Sequence, residues 1–272
     1  MDKVISPGDV SIRIVWDDPS LDDLMSVFYS PWDGGSGSIR YTILINRERD
    51  GYALAAPLEN SLCADENDLL SRLEFNVTSL SQEILNGFLQ IHAACVDYRG
   101  KGILLVGDHG IGKSTLALTA ASFGMEILTD DVCVIDTRAG RVKAFPRPIK
   151  ASDHTMMIIS PDIQKKCHVR KVNHDTSFVF FYTPPSALYR AETRPEYIFF
   201  LKREKGTAAV AEMNEKETMQ RLLRQGFNFT QRSSTFVAEL LSLMRSTSRY
   251  ELTYSDNFEA MHAILDTIQK TV

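Results

Sequence analysis

Residues 103–114, ILLVGDHGIGKS, constrain this chain more than any other stretch, because an apolar strand runs straight into a glycine-rich loop. Gly107, Gly112, Lys113 and Ser114 fit the pattern G-x-x-x-x-G-K-[ST], and residues 116–121, LALTAA, continue it with good helix formers. Glycines let the backbone curl so that successive N–H groups point at one anion, and the helix behind them adds the positive end of its dipole. The order of strand, loop and helix therefore predicts a phosphate cradle made by Gly107, Asp108, His109, Gly110, Ile111, Gly112, Lys113, Ser114 and Thr115. Lys113 would neutralise the β- and γ-phosphates of a nucleotide, and the Ser114 hydroxyl would take one position on Mg²⁺.

Residues 124–136, GMEILTDDVCVID, read as a strand, a paired carboxylate and a second strand. Asp130 follows Ser114 by 16 residues, one helix and one strand later. In phosphate-loop enzymes a carboxylate at the end of a neighbouring strand holds Mg²⁺, and a second one accepts a hydroxyl proton. Asp130 and Asp131 are thus candidates for both roles, which stay unapportioned between them. Upstream, residues 93–96 and 102–106 read as neighbouring strands joined by a tight turn at residues 97–100, DYRG, and residues 83–90 carry a helix-like apolar pattern before them. His92 stands at the start of this pair, where a core histidine bonded to backbone is the commoner outcome. Arg147 lies between two prolines in residues 142–150, VKAFPRPIK. Proline fixes φ and restricts the residue before it, so this guanidinium leaves a stiff backbone, either toward a phosphate or substrate or as a surface arginine of an edge segment.

The remaining patterns divide the chain into a small β-rich N-terminal domain, residues 1–82, and a catalytic domain, residues 83–272. Strands are expected at 10–16 and 41–46, and a helix at 66–81, although Phe75 and Val77 also suit a strand. Asp17, Asp18, Asp22 and Asp23 read as turn and helix-start residues around Pro19. Later strands are expected at 177–182, 197–202, 208–211 and 250–254, loops at Pro184-Pro185 and Pro195, and helices at 215–224, 235–245 and 257–270, with His262 a surface or structural residue of the last. A length of 272 residues allows two such domains without disulfide or metal staples. Cys63, Cys95, Cys133 and Cys167 form no C-x-x-C pattern and read as buried free thiols. A net charge of -5 argues against a general nucleic-acid binder, and the basic run at 164–171 reads as a solvated face or a substrate contact. No apolar run suggests a membrane span and the N-terminus does not resemble a signal peptide, so the cytoplasm is the expected compartment.

The segment IHAACVDYRGKGILLVGDHGIGKSTLALTAASFGMEILTDDVCVID resembles the catalytic core of the HPr kinase/phosphorylase superfamily and its HPr-kinase-like relatives. His92 stands 15 residues before Gly107, and Asp130-Asp131 follow the loop, which is similar to the family's order of histidine, loop and acidic pair. The resemblance implies an α/β fold, a P-loop kinase core of the HPr kinase and phosphoenolpyruvate carboxykinase type. It also implies transfer of the γ-phosphoryl group of ATP, with Mg²⁺, to a serine hydroxyl. Asp130, Asp131, His92, Lys113 and Arg147 would carry the chemistry, and Ser114, Asp130 and Asp131 would hold the metal.

Two departures from the family pattern redirect the acceptor. Thr115 stands where HPr kinases typically have glutamate, and the glycine-rich signature linked to HPr docking and to the phosphorylase reaction is missing. Similar kinase-like relatives phosphorylate the C-terminal serine of lasso-peptide precursors, and others act on free serine. The expected acceptor is therefore a peptide serine of that kind, with a small-molecule hydroxyl or a non-catalytic nucleotide-sensing module as alternatives and the oligomeric state open.

Overall fold

The computed structural model describes residues 1–35, 37–172, 178–182 and 191–270. The chain divides into two compact units. One comprises Met1–Gly87, Pro146–Ser152 and Cys167–Pro185, and the other Phe88–Phe145, Asp153–Lys166 and Ser186–Val272. This division differs from the boundary expected between residues 82 and 83 in two respects: the first unit runs to Gly87, and the chain re-enters it twice. Both differences have a local cause. The helix that starts at Glu66 continues to Ile84, carrying the first unit past residue 82. Residues 149–152, 168–172 and 178–182 form a separate three-stranded sheet among the described residues.

In the first unit, β1 (Asp2–Ile5), β2 (Val10–Trp16), β3 (Ser38–Glu48), β4 (Gly51–Ala55) and β5 (Asn60–Cys63) form one sheet in that order. The alternation VSIRIVW turns Ile12, Ile14 and Trp16 inward, where they meet Ile43 and Ile45 of β3. A short helix, α1 (Asp22–Val27), follows Pro19, with Asp22 and Asp23 in its first turn. The long helix α2 (Glu66–Ile84) begins at Asp65, whose carboxylate accepts the amides of Asn67 and Asp68 at 2.8 and 2.9 Å. Leu69, Leu70, Leu73, Val77 and Leu80 bury one face of α2 in the same core, while Phe75 is 55% exposed. That facing settles the ambiguity at Phe75 and Val77 in favour of a helix.

The second unit holds β6 (Leu89–Tyr98), β7 (Lys101–Val106), β8 (Glu126–Thr129), β9 (Val132–Asp136), β10 (Arg141–Lys143), β14 (Glu192–Arg203), β15 (Ala209–Glu212) and β16 (Ser248–Tyr254). Between these in sequence lie the first unit's β11 (Ile149–Ser152), β12 (His168–Val172) and β13 (Phe178–Tyr182), ordered β11-β13-β12. The second unit's main strand order is β10-β9-β6-β7-β14-β16-β15, with β8 beside β6 and β10 also bonded to β14. Strands β7, β14 and β16 are parallel, which suits their apolar runs because both faces are covered. Leu104, Val106, Ile198 and Phe200 face Leu222 of α6 (Glu215–Arg224) and Phe236, Leu240 and Met244 of α7 (Phe229–Arg245). On the opposite face, Ile103, Leu105 and Phe199 are buried, and α3 (Lys113–Ser122) packs against β6, β7, β8 and the terminal helix α8 (Asn257–Lys270). Two short helices, α4 (Asp153–Ile158) and α5 (Pro161–Lys166), complete the described helices of this unit.

The helix-like pattern at residues 83–90 joins two different elements. α2 stops at Ile84 and β6 starts at Leu89, so apolar residues of a helix end and a strand start mimic one period. The basic run at 164–171 spans the end of α5 and most of β12. Ser177, Pro184 and Pro185 lie outside the described residues. All four cysteines are free and buried, as their spacing suggests. Among the described residues, no helix is long and apolar enough to cross a membrane.

Candidate active site

Strand β6 aligns the acidic pair with the phosphate loop. Cys95 faces Thr129, His92 faces Val132, and the amide of Ala93 donates to the carbonyl of Asp131 at 3.1 Å. Strands β8 and β9 thus continue one antiparallel ladder through Asp130 and Asp131. The carboxylates are carried on hydrogen-bonded backbone one strand away from β7, which delivers the loop.

Asp130, only 3% exposed, accepts from the Ser114 hydroxyl through Oδ2 at 3.0 Å. Lys113 is 5% exposed and donates to the carbonyls of Gly107 and Asp108 at 2.9 and 3.1 Å. Burial depresses the Lys113 ammonium below its ordinary pKa, while the charges of Asp131, Asp130 and Asp108 act in the opposite direction. Gly112 opens α3 with φ 107°, and a Cβ there would come within 3.3 Å of the Tyr254 hydroxyl and 3.5 Å of Arg203 Nη2. That hydroxyl donates to the Ile111 carbonyl at 3.1 Å, and the Arg203 guanidinium donates to Ser255 O and Asn257 Oδ1. The loop is therefore braced from the ends of β14 and β16.

On the other side of the acidic pair, His92 Nε2 stands 2.9 Å from Asp131 Oδ1. The Gln225 amide nitrogen donates to Asp108 Oδ1 at 3.1 Å, and its oxygen lies 3.1 Å from His92 Nδ1. A carboxylate only accepts, so Asp108 sets the orientation of the amide, and the amide oxygen then requires the proton on His92 Nδ1. Nε2 is left facing Asp131. Backbone bonds place Gln225: its carbonyl accepts from the His92 amide at 2.7 Å, and the Phe227 amide donates to the Gln90 carbonyl at 3.0 Å. Gly226 between them leaves room for Phe236, whose ring would come within 2.4 Å of a Cβ at that position.

The structure thus gathers Lys113, Ser114, Asp130, Asp131 and His92 with the loop residues Asp108 and Ile111. His109 stacks near His92 at 6.5 Å between ring centroids, and the Thr115 hydroxyl pairs with that of Thr155 on α4 at 2.9 Å. Arg147 has a different setting. It belongs to the first unit, where it is 8% exposed and its Nη2 lies 2.6 Å from Glu74 Oε1. Lys150 Nζ approaches the other oxygen of Glu74 at 2.7 Å, and Thr78 donates to the carboxylate at 2.9 Å. The stiff Pro-Arg-Pro backbone presents this guanidinium to a buried carboxylate on α2.

Gln225, Arg203 and Tyr254 escaped the sequence reading because each is polar at the end of an ordinary element, with no pattern to separate it from a surface residue. A cavity of about 280 Å³ also opens here, lined by Val106, Gly107, Asp108, Leu201, Arg224 and Gln225, with Phe200 and Arg221 completing its wall.

The donor set fits Mg²⁺. The Ser114 hydroxyl and the Asp130 carboxylate are hard oxygen donors 3.0 Å apart. In phosphoryl-transfer sites Mg²⁺ takes one or two protein oxygens and completes its shell with phosphates and water. No cage of three His, Cys, Asp or Glu side chains is required, and none occurs among the described residues.

No family model matches the chain. It is 33% identical over 84 residues to HPr kinase/phosphorylase of Chlorobium chlorochromatii (strain CaD3), covering 31% of this chain and 25% of that protein. It is 36% identical over 77 residues to HPr kinase/phosphorylase of Lachnoclostridium phytofermentans (strain ATCC 700394 / DSM 18823 / ISDg), covering 28% and 21% respectively. The matches span about a quarter of the length of these curated relatives. The solved HPr(Ser) kinase/phosphatase of Coxiella burnetii aligns with 67% of this chain and 92% of its own, with TM-score 0.36 and 10% identity. Over about three-tenths of its length the chain is thus similar in sequence to HPr kinase/phosphorylases, and its P-loop serine meets one aspartate of the acidic pair.

Proposed function

We infer that the protein is an ATP-dependent kinase that transfers the γ-phosphoryl group to a serine hydroxyl. The observation that carries this reading is the split engagement of the acidic pair: Asp130 faces the P-loop serine and Asp131 faces a histidine. One carboxylate is thereby committed to the nucleotide side and the other is available for a proton.

In this mechanism the loop amides and Lys113 bind the phosphates and orient the γ-phosphoryl group for in-line attack. Ser114 and Asp130 would hold Mg²⁺, which neutralises charge on the bridging phosphate oxygens when bound. Asp131 takes the proton of the acceptor hydroxyl as its oxygen attacks phosphorus, and the bond from phosphorus to the leaving ADP oxygen breaks. His92 Nε2, 2.9 Å from Asp131 Oδ1, is placed to share that proton with the carboxylate. Asp108 accepts from the Gln225 amide and keeps it oriented.

The acceptor proposed is the C-terminal serine of a peptide, with free serine as the small-molecule alternative. Incubation with Mg²⁺-ATP and serine-bearing peptides, followed by mass spectrometry, tests the reading. Phosphoserine is the expected product. ATP binding without transfer to any serine compound would instead leave a nucleotide-sensing module.

A further inference from the structure

We propose that Arg224 holds the free carboxylate of the acceptor serine in the cavity beside Gln225, so that the enzyme selects a serine carrying its own α-carboxylate. This rests on the serine-kinase reading above and extends it to substrate choice. Arg221 and Arg224 both line the cavity. Arg221 is engaged by Glu217 and Glu251, whereas Arg224, which is exposed, pairs with no side chain among the described residues. It ends α6 directly before Gln225, the residue bonded to both His92 and Asp108. The same turn of chain therefore offers an amide to the proton-accepting histidine and a guanidinium to the adjacent cavity.

The chemistry of the wall fits this ligand. A planar guanidinium fork matches a carboxylate through two parallel hydrogen bonds. Asp108 is the acid of the wall, and the Gln225 amide occupies its Oδ1. The cavity also lies toward the face of the sheet covered by α6, opposite the face on which α3 packs. The cavity shares Gly107 and Asp108 with the phosphate loop, so an acceptor held at Arg224 would lie next to the nucleotide phosphates. A C-terminal serine and free serine share the group recognised, a carboxylate on the carbon that bears the hydroxymethyl arm.

The test compares four acceptors with Mg²⁺-ATP: a peptide ending in serine acid, the same peptide amidated, a peptide with the serine internal, and free L-serine. The acid peptide or free serine should exceed the amide and the internal serine by roughly 10- to 100-fold in kcat/KM, the range of a charged hydrogen-bonded contact. The first and last acceptors against each other tell which source of the carboxylate is used. In Arg224→Ala the acid-to-amide ratio should collapse toward one with KM for ATP unchanged, and Arg224→Lys should restore only part of it. Equal use of acid and amide by the wild type, or an equal loss for both in Arg224→Ala, overturns the proposal. Calorimetric binding of the acid and amide peptides with a non-hydrolysable ATP analogue gives a readout independent of transfer. Should no serine compound be phosphorylated, the kinase reading fails; preferential binding of the acid would still uphold the carboxylate site, and equal binding would reject it.

Discussion

His92 Nε2 lies 2.9 Å from Asp131 Oδ1, while the other ring nitrogen of His92 is tied to Gln225. A carboxylate with a histidine behind it can pass on the proton it takes. Asp131→Asn is expected to lower kcat by about 10²-fold or more, with ATP affinity retained. Single-turnover phosphate transfer set beside calorimetric ATP binding checks this, and a near-normal rate in the variant would remove Asp131 as the base.

Gln225 acts through His92, and its loss should leave a different signature. Gln225→Leu frees the imidazole to carry its proton on either nitrogen and is expected to reduce kcat by on the order of 10-fold, with KM for ATP unchanged. The imidazole ¹⁵N shifts of His92 should move from a single Nδ1–H tautomer to a mixture. An unchanged tautomer in the variant would show that the amide does not set it.

Asp130 and Ser114 face each other at the nucleotide end, so their variants should respond to metal concentration. Asp130→Asn is expected to need more Mg²⁺ for half-maximal rate, and Ser114→Ala to shift the same titration in the same direction, because each removes one hard oxygen donor. Chelation by EDTA should stop transfer in the wild type. Rates of these variants measured across a Mg²⁺ series decide the assignment, and a curve coinciding with wild type would exclude that residue.

Lys113 is buried and presently donates to two loop carbonyls, bonds that a bound phosphate would replace. Lys113→Ala should abolish turnover, a loss on the order of 10³-fold or greater if transfer depends on this charge. Nucleotide titration should show the loss growing from ADP to ATP, since the missing charge faces the β- and γ-phosphates. Equal weakening of both nucleotides would place Lys113 elsewhere in the mechanism.

Glu74 supplies a prediction on stability. Burial raises its pKa, but Arg147, Lys150 and its hydrogen bonds outweigh that effect and hold it below the ordinary carboxylate value. A folded-state pKa below the unfolded one stabilises the protein fully above about pH 4.3, and this contribution is lost as pH falls through the folded value. Glu74→Gln should destabilise the first unit by about 3–5 kcal/mol at neutral pH and flatten the acid limb of its melting curve. Circular dichroism melts from pH 7 to 3 test both, and parallel acid limbs in the two proteins would exclude Glu74 as the titrating group.

The phosphate loop and the acidic pair were legible because local order alone identifies them: strand, glycines and lysine for one, strand–Asp-Asp–strand for the other. The partition of roles between Asp130 and Asp131 was not legible. It depends on which neighbour each carboxylate meets where the chain passes from β8 to β9 beside β6. Arg147 is the converse case: its partner Glu74 is 73 positions earlier in the chain and carries no local mark. Gln225 was hidden for the same reason, since its contact with His92 spans 133 positions. Periodicity located α2 and the terminal helix well, and misread residues 83–90 because two elements shared one apolar rhythm.

The first unit is assembled from three separated stretches of chain, and this orders events during synthesis on the ribosome. When residue 87 emerges, the carboxylate of Glu74 has neither Arg147 nor Lys150 available, and burying it alone is costly. The nascent first unit therefore gains the partners of Glu74 only once Pro146–Ser152 has been made. A fragment expressed as residues 1–82 would lack both partners of Glu74, so a fragment meant to keep that ion pair has to include the later segment.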